Sequence, residues 1–355
     1  MEGLKERVGF VAIGAYGGNQ GELFYKAGYP VVFINTAQQD LDSLTDIPDS
    51  EKYHIPGGEG CSKDRSKSKA IFSADLDNVV NVIKEKLVGK DYIFIIGSCG
   101  GGTASGILAS MKRIIISELE PKACMIVTVL PNTRTESLKA MENAYNTLCE
   151  IEQLDEDGAT FILDNDRLGD KLKINEQFFI YLDALLTNHS VSKYGNADIE
   201  EIKKMLETPG MSVLTQLDKD KTNTQQIINS FQSNIYAPME EDKVITYLLI
   251  ISAGLGASIN TEEINAEFGK PYDCFRGYEA DSTICMLSGL SLPYTKLEEI
   301  QAQLEESKET IKHNRAVKRE KRLTNKFEFF DSADDKEEKP KTVKKKNTRD
   351  LLFLN

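Results

Sequence analysis

The stretch from residue 92 to residue 107, YIFIIGSCGGGTASGI, constrains this chain more than any other. Residues 92–96 are apolar, β-branched or aromatic and read as a buried strand, whereas residues 106–118 read as a helix. Between them stand Gly97, Gly100, Gly101 and Gly102. Consecutive glycines are costly because glycine loses the most backbone freedom on folding. A flexible linker carries such a run cheaply, but a linker is not flanked by a strand and a helix. Glycine at a strand-to-helix turn lets backbone N–H groups converge on an anion at the positive end of the helix dipole. Thr103 and Ser105 add hydroxyls for a phosphate or for a Mg²⁺-bound water. The segment reads as a phosphate cradle.

Its surroundings fit an α/β fold. Residues 8–13, 31–34, 92–96, 123–130 and 160–163 read as strands, and 70–87, 106–118 and 135–153 as helices. Near-continuous apolar strands alternating with amphipathic helices predict a parallel sheet covered on both faces, with ligands at the carboxyl ends of its strands. Residues 177–186 read as a long buried helix, and 244–251, 274–276 and 283–290 as a second, smaller sheet with helices. A charged helix follows from 295 to about 330. Beyond 331 the composition is poor in apolar residues and predicts disorder, closing on the apolar RDLLFLN.

Charge and cysteine usage narrow the function. The net charge of −13 argues against a globular body that binds nucleic acid. Residues 312–326 and 339–349 are basic, so direct DNA contact is expected only through the tail. Six cysteines without CxxC pairing and three dispersed histidines argue against structural zinc and a disulfide framework, and for a reducing cytoplasm. No apolar run approaches a membrane span, and the first residues, MEGLKERVGF, do not read as a signal peptide.

Two further glycine loops follow strands: GAYGGNQG (14–21), with Gly17, Gly18, Asn19 and Gln20, and PGGEG (56–60), with Gly57 and Gly58. Neither matches the P-loop pattern, and Asn35 stands where a dinucleotide-binding fold would place an acidic ribose ligand. A dinucleotide-dependent oxidoreductase and a non-hydrolysing nucleotide-binding adaptor stay as alternatives from other classes.

Together these residues resemble the tubulin/FtsZ superfamily, whose signature loop is GGGTGSG. This chain carries Gly100, Gly101, Gly102, Thr103, Ala104, Ser105 and Gly106, with Ala104 replacing a glycine. INTAQQDL, with Asn35, Thr36 and Gln39, resembles the family's second nucleotide loop. ILDNDRL (162–168) resembles the segment whose asparagine contacts guanine, which assigns Asn165. ENAYNTL (142–148) resembles the tubulin helix whose glutamate meets the ribose, giving Glu142; an FtsZ-style register gives Glu136 instead, and both stay open. Asn175 falls where the family has its second base-reading residue. Lys171 or Leu172 stands where relatives often stack an aromatic on the base.

GNADIEE (195–201) resembles the family's synergy loop through Asn196, Asp198 and Glu201. Three residues apart at a helix start, the two carboxylates share a face and can polarise a water for attack on phosphate. An N-cap Asp with a first-turn Glu is the plainer reading. The resemblance, greatest to the TubZ group of plasmid- and phage-borne tubulin relatives, implies GTP and GDP as ligands, with Mg²⁺ on the nucleotide phosphates. It also implies a GTPase site completed by the next subunit of a head-to-tail filament. A DNA-binding adaptor held by the basic tail is the expected partner, and no membrane; FtsZ-like cell division and phage positioning are the alternative roles. The implied domains are 1–172 (GTP-binding), 173–205 (central helix and synergy loop), 206–294 (activation), 295–330 (C-terminal helix) and 331–355 (tail).

Overall fold

The computed structural model describes residues 3–154, 157–188, 191–256 and 258–320. Apart from short 3-10 turns, the chain runs β1 (Val8–Ile13), α1 (Gly14–Lys26), β2 (Val31–Asn35), α2 (Gln38–Asp42), β3 (Lys52–His54), α3 (Arg65–Ala74), α4 (Leu76–Leu87) and β4 (Tyr92–Gly97). Next come α5 (Thr103–Leu119), β5 (Ala123–Leu130), α6 (Leu138–Glu152), β6 (Thr160–Asp164), α7 (Lys171–Leu186) and α8 (Ile199–Glu207). The rest is β7 (Met211–Leu217), α9 (Thr224–Gln232), β8 (Tyr247–Ile251), α10 (Thr261–Phe268), β9 (Asp273–Gly277), β10 (Thr283–Leu290) and α11 (Tyr294–Glu320).

The strands form one sheet in the order β3-β2-β1-β4-β5-β6-β7-β10-β8-β9. It is parallel from β3 to β7, and β10 is antiparallel to both β7 and β8. Every residue of β1, β2, β4, β5 and β6 is buried, as a sheet covered on both faces requires. On one face Phe10, Phe94 and Phe161 pack with Phe24 of α1 and Phe178 of α7. On the other, Val11 and Ile95 meet Ile83 of α4 and Met111 of α5. Residues up to Glu309 form one compact unit, and those from Thr310 belong to another. Among the described residues no helix is long and apolar enough to cross a membrane.

Four expectations are corrected. The second sheet is not separate: Thr160 pairs with Met211 and joins β6 to β7. The junction holds because the backbone entering β6 bonds to the end of α8 and the turn after it, Ala159 N–H to Leu206 and Thr160 N–H to Gly210. The helix expected over 70–87 is two helices broken at Asp75, whose carboxylate is held by the Tyr53 hydroxyl at 2.6 Å. The helix expected from 135 starts after Ser137, because the Asn132 side chain accepts from the N–H groups of Arg134 and Thr135 and bends the chain into a turn. GAYGGNQG is helical rather than a loop. Gly17 and Gly21 bring α1 down onto the sheet, where a Cβ would sit 2.5 Å from the Ile96 carbonyl oxygen and 2.7 Å from the Ala12 Cβ. The long C-terminal helix is described to Glu320; its expected continuation to 330 and the tail 331–355 lie outside the described residues.

Candidate nucleotide site

At the carboxyl ends of β1, β2 and β4 lies a cleft of about 340 Å³. Gly14, Ala15 and Tyr16 of α1, Asp40 of α2, Gly60–Lys63, Ser98 and residues 101–104 line it. Helix α5 starts there at Gly102 with no side-chain cap, so its first-turn N–H groups face the cleft without a carboxylate or hydroxyl of the chain's own. The three glycines are not equivalent. A Cβ at Gly100 would come 3.1 Å from the Ala140 carbonyl oxygen, and one at Gly102 3.0 Å from the Lys63 nitrogen. A Cβ at Gly101 would meet nothing closer than 3.7 Å, and its φ lies outside the left-handed region. Neither packing nor backbone conformation requires glycine at 101. Close approach of a ligand to the backbone is the reason left.

The hydroxyls expected to reach a phosphate are engaged within the chain. Ser105 Oγ donates to the Gly101 carbonyl at 2.6 Å, and Thr103 Oγ1 lies 2.7 Å from Thr36 Oγ1 and bonds to Asn35 Oδ1. Asn35 also donates to Asp40. These bonds stitch the end of β2 to the start of α5, so Asn35 and Thr103 shape the cleft, and the free donors are backbone N–H groups. A Cβ at Gly58 would come 3.0 Å from Thr36, and neither Gly57 nor Gly58 lines the cleft. Sequence reasoning missed the loop opposite. Ser62 and Lys63 both take left-handed φ, +48° and +61°, at a cost of about 1–3 kcal/mol each. Asn143 Nδ2 clasps that loop to the cradle, donating to the carbonyls of Lys63 and Gly101. Lys63 thereby becomes a cation lining the cleft, with its ammonium donating to Ser137 Oγ at 3.0 Å, and no sequence signal marked it.

The candidate base and ribose residues fall into separate hydrogen-bonded groups. Gln20 Nε2 donates to the Asn175 carbonyl at 3.0 Å, joining α1 to α7. Asn132 Nδ2 donates to the Asn165 carbonyl, and Glu136 takes the Lys171 ammonium at 2.6 Å. Glu142 instead pairs with Lys139 and, at 4.0 Å, with Lys308 of α11. Asn165 and Asn175 are 8% and 4% exposed, yet neither side-chain amide has a hydrogen bond among the described residues. The Tyr16 hydroxyl and Gln20 Oε1 are fully buried without a hydrogen-bond partner among the described residues, whereas the Asn165 and Asn175 amides keep some access to solvent; burial raises the Tyr16 pKa and keeps that phenol a donor. Leaving such groups unmet costs free energy, so a polar ligand suits this set. Asn19 is exposed, and Leu172 at 58% exposure has no aromatic ring to stack on a base.

Asn196, Asp198 and Glu201 are not brought to the cleft. They follow α7, whose 16 residues span about 24 Å at 1.5 Å per residue, and the loop packs against β9, the far edge of the sheet, at Gly277. Asp198 and Glu201 form a reciprocal capping box on α8: Glu201 N–H donates to Asp198 Oδ1 at 2.9 Å and Asp198 N–H to Glu201 Oε2 at 3.1 Å. The plainer reading of these carboxylates is therefore real, and each keeps one oxygen outside the box. Burial, with Asp198 and Asp273 nearby, raises the Glu201 pKa. Asn196 Oδ1 accepts from the Ser192 N–H and sets the loop's turn. Among the described residues no cluster of three or more His, Cys, Asp or Glu side chains is arranged for a metal.

Residues 8–173 match the model of the Tubulin/FtsZ family, GTPase domain. The chain is 26% identical over 292 residues to the tubulin-like protein TubZ of Clostridium botulinum C phage, covering 81% of this chain and 80% of that protein. A tail-truncated TubZ from C. botulinum phage c-st superposes with a TM-score of 0.76 at 24% identity, over 86% of this chain and 99% of that one. A GTPγS-form protofilament of TubZ from Bacillus thuringiensis serovar israelensis superposes with a TM-score of 0.73 at 18% identity, over 88% and 94%.

Proposed function

This chain belongs to the tubulin/FtsZ family through its GTPase domain, residues 8–173, and from that premise we propose that it hydrolyses GTP within head-to-tail filaments of its own copies. The carrying observation is the uncapped start of α5 beside Gly101, whose missing side chain the fold does not need. In this reading residues 1–172 hold the nucleotide, 173–205 present the catalytic loop and 206–294 support it. Backbone N–H groups of residues 101–104 and Lys63 meet the phosphates; Asn165 and Asn175 meet the guanine edge. Glu136 is the better candidate for the ribose, since it shares the Asn132–Lys171 network beside Asn165, whereas Glu142 pairs with Lys139 and Lys308 outside that network. One cleft carboxylate, Asp40, suits a Mg²⁺ held mainly by phosphate and water.

Asp198 and Glu201 act on the nucleotide of the adjacent subunit. Exposed Leu168 and Leu172 lie near the nucleotide end, and exposed Val191 and Tyr194 lie in the loop before α8. Two such unlike patches fit a heterologous contact, which repeats without closing. The protofilament formed by the B. thuringiensis relative supports assembly of copies into a filament. GTP turnover should therefore appear only above a threshold protein concentration, and equimolar ATP should not displace labelled GTP. Turnover strictly proportional to concentration, or displacement by ATP, sinks this reading.

The filament's role in this reading is cytoplasmic movement or segregation of plasmid or phage DNA through an adaptor bound by the basic tail. The acidic body and the lysines at 339–349 support it, as contact through them weakens steeply with salt. Removing residues 331–355 should leave turnover and assembly intact while salt-sensitive cargo attachment is lost. Undiminished recruitment by the truncated chain at low and high salt would mark the tail as a solubiliser.

A further inference from the structure

We propose that Lys296, in the first turn of α11, is a positioning residue for base recognition: it clamps the two aspartates flanking Asn165 and so fixes the orientation of that amide. The inference rests on the reading of Asn165 as a base contact. Lys296 Nζ lies 2.9 Å from Asp166 Oδ2 and 3.8 Å from Asp164 Oδ2, with its side chain 10% exposed. Asp166 is held on its other side by Thr133, whose N–H and hydroxyl donate to its two oxygens at 3.0 and 2.7 Å. Asp164 Oδ1 accepts from the Asp166 N–H. The carbonyl of Asn165 is held by Asn132. Everything around Asn165 is thus tied down, and only its amide is left open.

The electrostatics require the cation. Two carboxylates two residues apart in a buried loop repel unless a positive charge lies between them. Burial raises the Asp164 pKa, so without Lys296 that side chain would tend to take up a proton. For Asp166 burial also pushes upward, but the Lys296 and Thr133 hydrogen bonds outweigh it and leave the carboxyl below its ordinary value. Lys296 is not needed to anchor its own helix. Leu297, Ile300 and Leu304 are buried in the core, Thr295 bonds to Glu240 and Tyr294 to Glu152. The ammonium lies closest to the loop, at 2.9 Å from Asp166, with Glu299 of its own helix at 3.8 Å.

The test uses the full chain and measures equilibrium binding of labelled GTP with GTP or ATP as competitor, alongside thermal unfolding. Lys296→Met should weaken GTP binding about tenfold, the loss expected when a charge-assisted contact no longer orients a ligand group. It should shrink the GTP-over-ATP ratio by a similar factor, and Lys296→Arg should restore most of both. Lys296→Met combined with Asp166→Asn removes one of the two carboxylate charges, and with it their mutual repulsion, and serves if the single variant does not fold; it too should lose discrimination. A folded variant, single or double, with the original affinity and ratio overturns the inference, because a merely structural lysine would change stability and leave the ratio alone. Failure of the unaltered chain to bind GTP would instead overturn the functional reading beneath it.

Discussion

Glu201→Gln should leave GTP binding nearly unchanged while steady-state hydrolysis falls about a hundredfold or more, the usual contribution of a group that positions and polarises the attacking water. Filaments of the variant should outlive those of the unaltered chain, since the nucleotide between subunits stays as GTP. Glutamine is the informative replacement. A glutamine at this position can still accept from the Asp198 N–H, so the capping box of α8 survives. Alanine would also remove the bond to the Asp198 N–H and mix a folding effect into the kinetics. Phosphate release and filament lifetime, measured on the same preparation, separate the outcomes. A variant that no longer binds GTP as a monomer would put Glu201 in its own subunit's pocket. Unchanged turnover would reduce the carboxylate to its capping role.

Gly101→Val should abolish measurable GTP binding without loss of fold. The position is open to a side chain: no atom comes within 3.7 Å of its Cβ, and its φ suits any residue. Replacing glycine where the backbone allows it tends to stabilise through the unfolded chain, by about 0.4–1 kcal/mol for alanine. Gly101→Ala should therefore melt at or slightly above the original temperature. What the larger side chain blocks is close approach of phosphate to the backbone N–H groups at the start of α5. Losing two charge-assisted bonds of about 1.5–3 kcal/mol each corresponds to a hundredfold or more in affinity. Isothermal titration with GTP and a thermal melt decide the matter. Full affinity in a folded Gly101→Val chain would remove the cradle from the site. Gly102 offers no such test, because its Cβ would press on the Lys63 backbone and couple folding to binding.

Much of this was legible in the sequence because its causes are local. An apolar run followed by glycine and an amphipathic helix specifies β4, the cradle and α5 within one segment, and strands β5 and β10 follow from their apolar runs with the bounds expected. Asp198 and Glu201 at a helix start were legible for the same reason, and the N-cap aspartate and first-turn glutamate close in the structure into a reciprocal capping box. Asn165 and Asn175 were located through resemblance to a family, since no local rule distinguishes a base-reading asparagine from a capping one.

Contacts between distant segments decided the rest. Whether the later strands formed their own sheet depended on where the end of α8 docks beside β6, and one residue pair, Thr160 with Met211, made the sheet continuous. Thr103 and Ser105 carry hydroxyls suited to phosphate, but Thr36 and the Gly101 carbonyl reach them first. Lys63 owes its place to Asn143 across the cleft, and Lys296 meets the Asn165 loop across 130 residues of chain. By itself the sequence determined strands β1, β2, β4, β5 and β6, the glycine run before α5 and the carboxylate pair at a helix start, because propensity, capping and hydrophobic period act over a few residues. Only the tertiary structure decided which of those polar groups remain free for a ligand, because hydrogen bonds between segments far apart in the chain form only once the fold has brought them together.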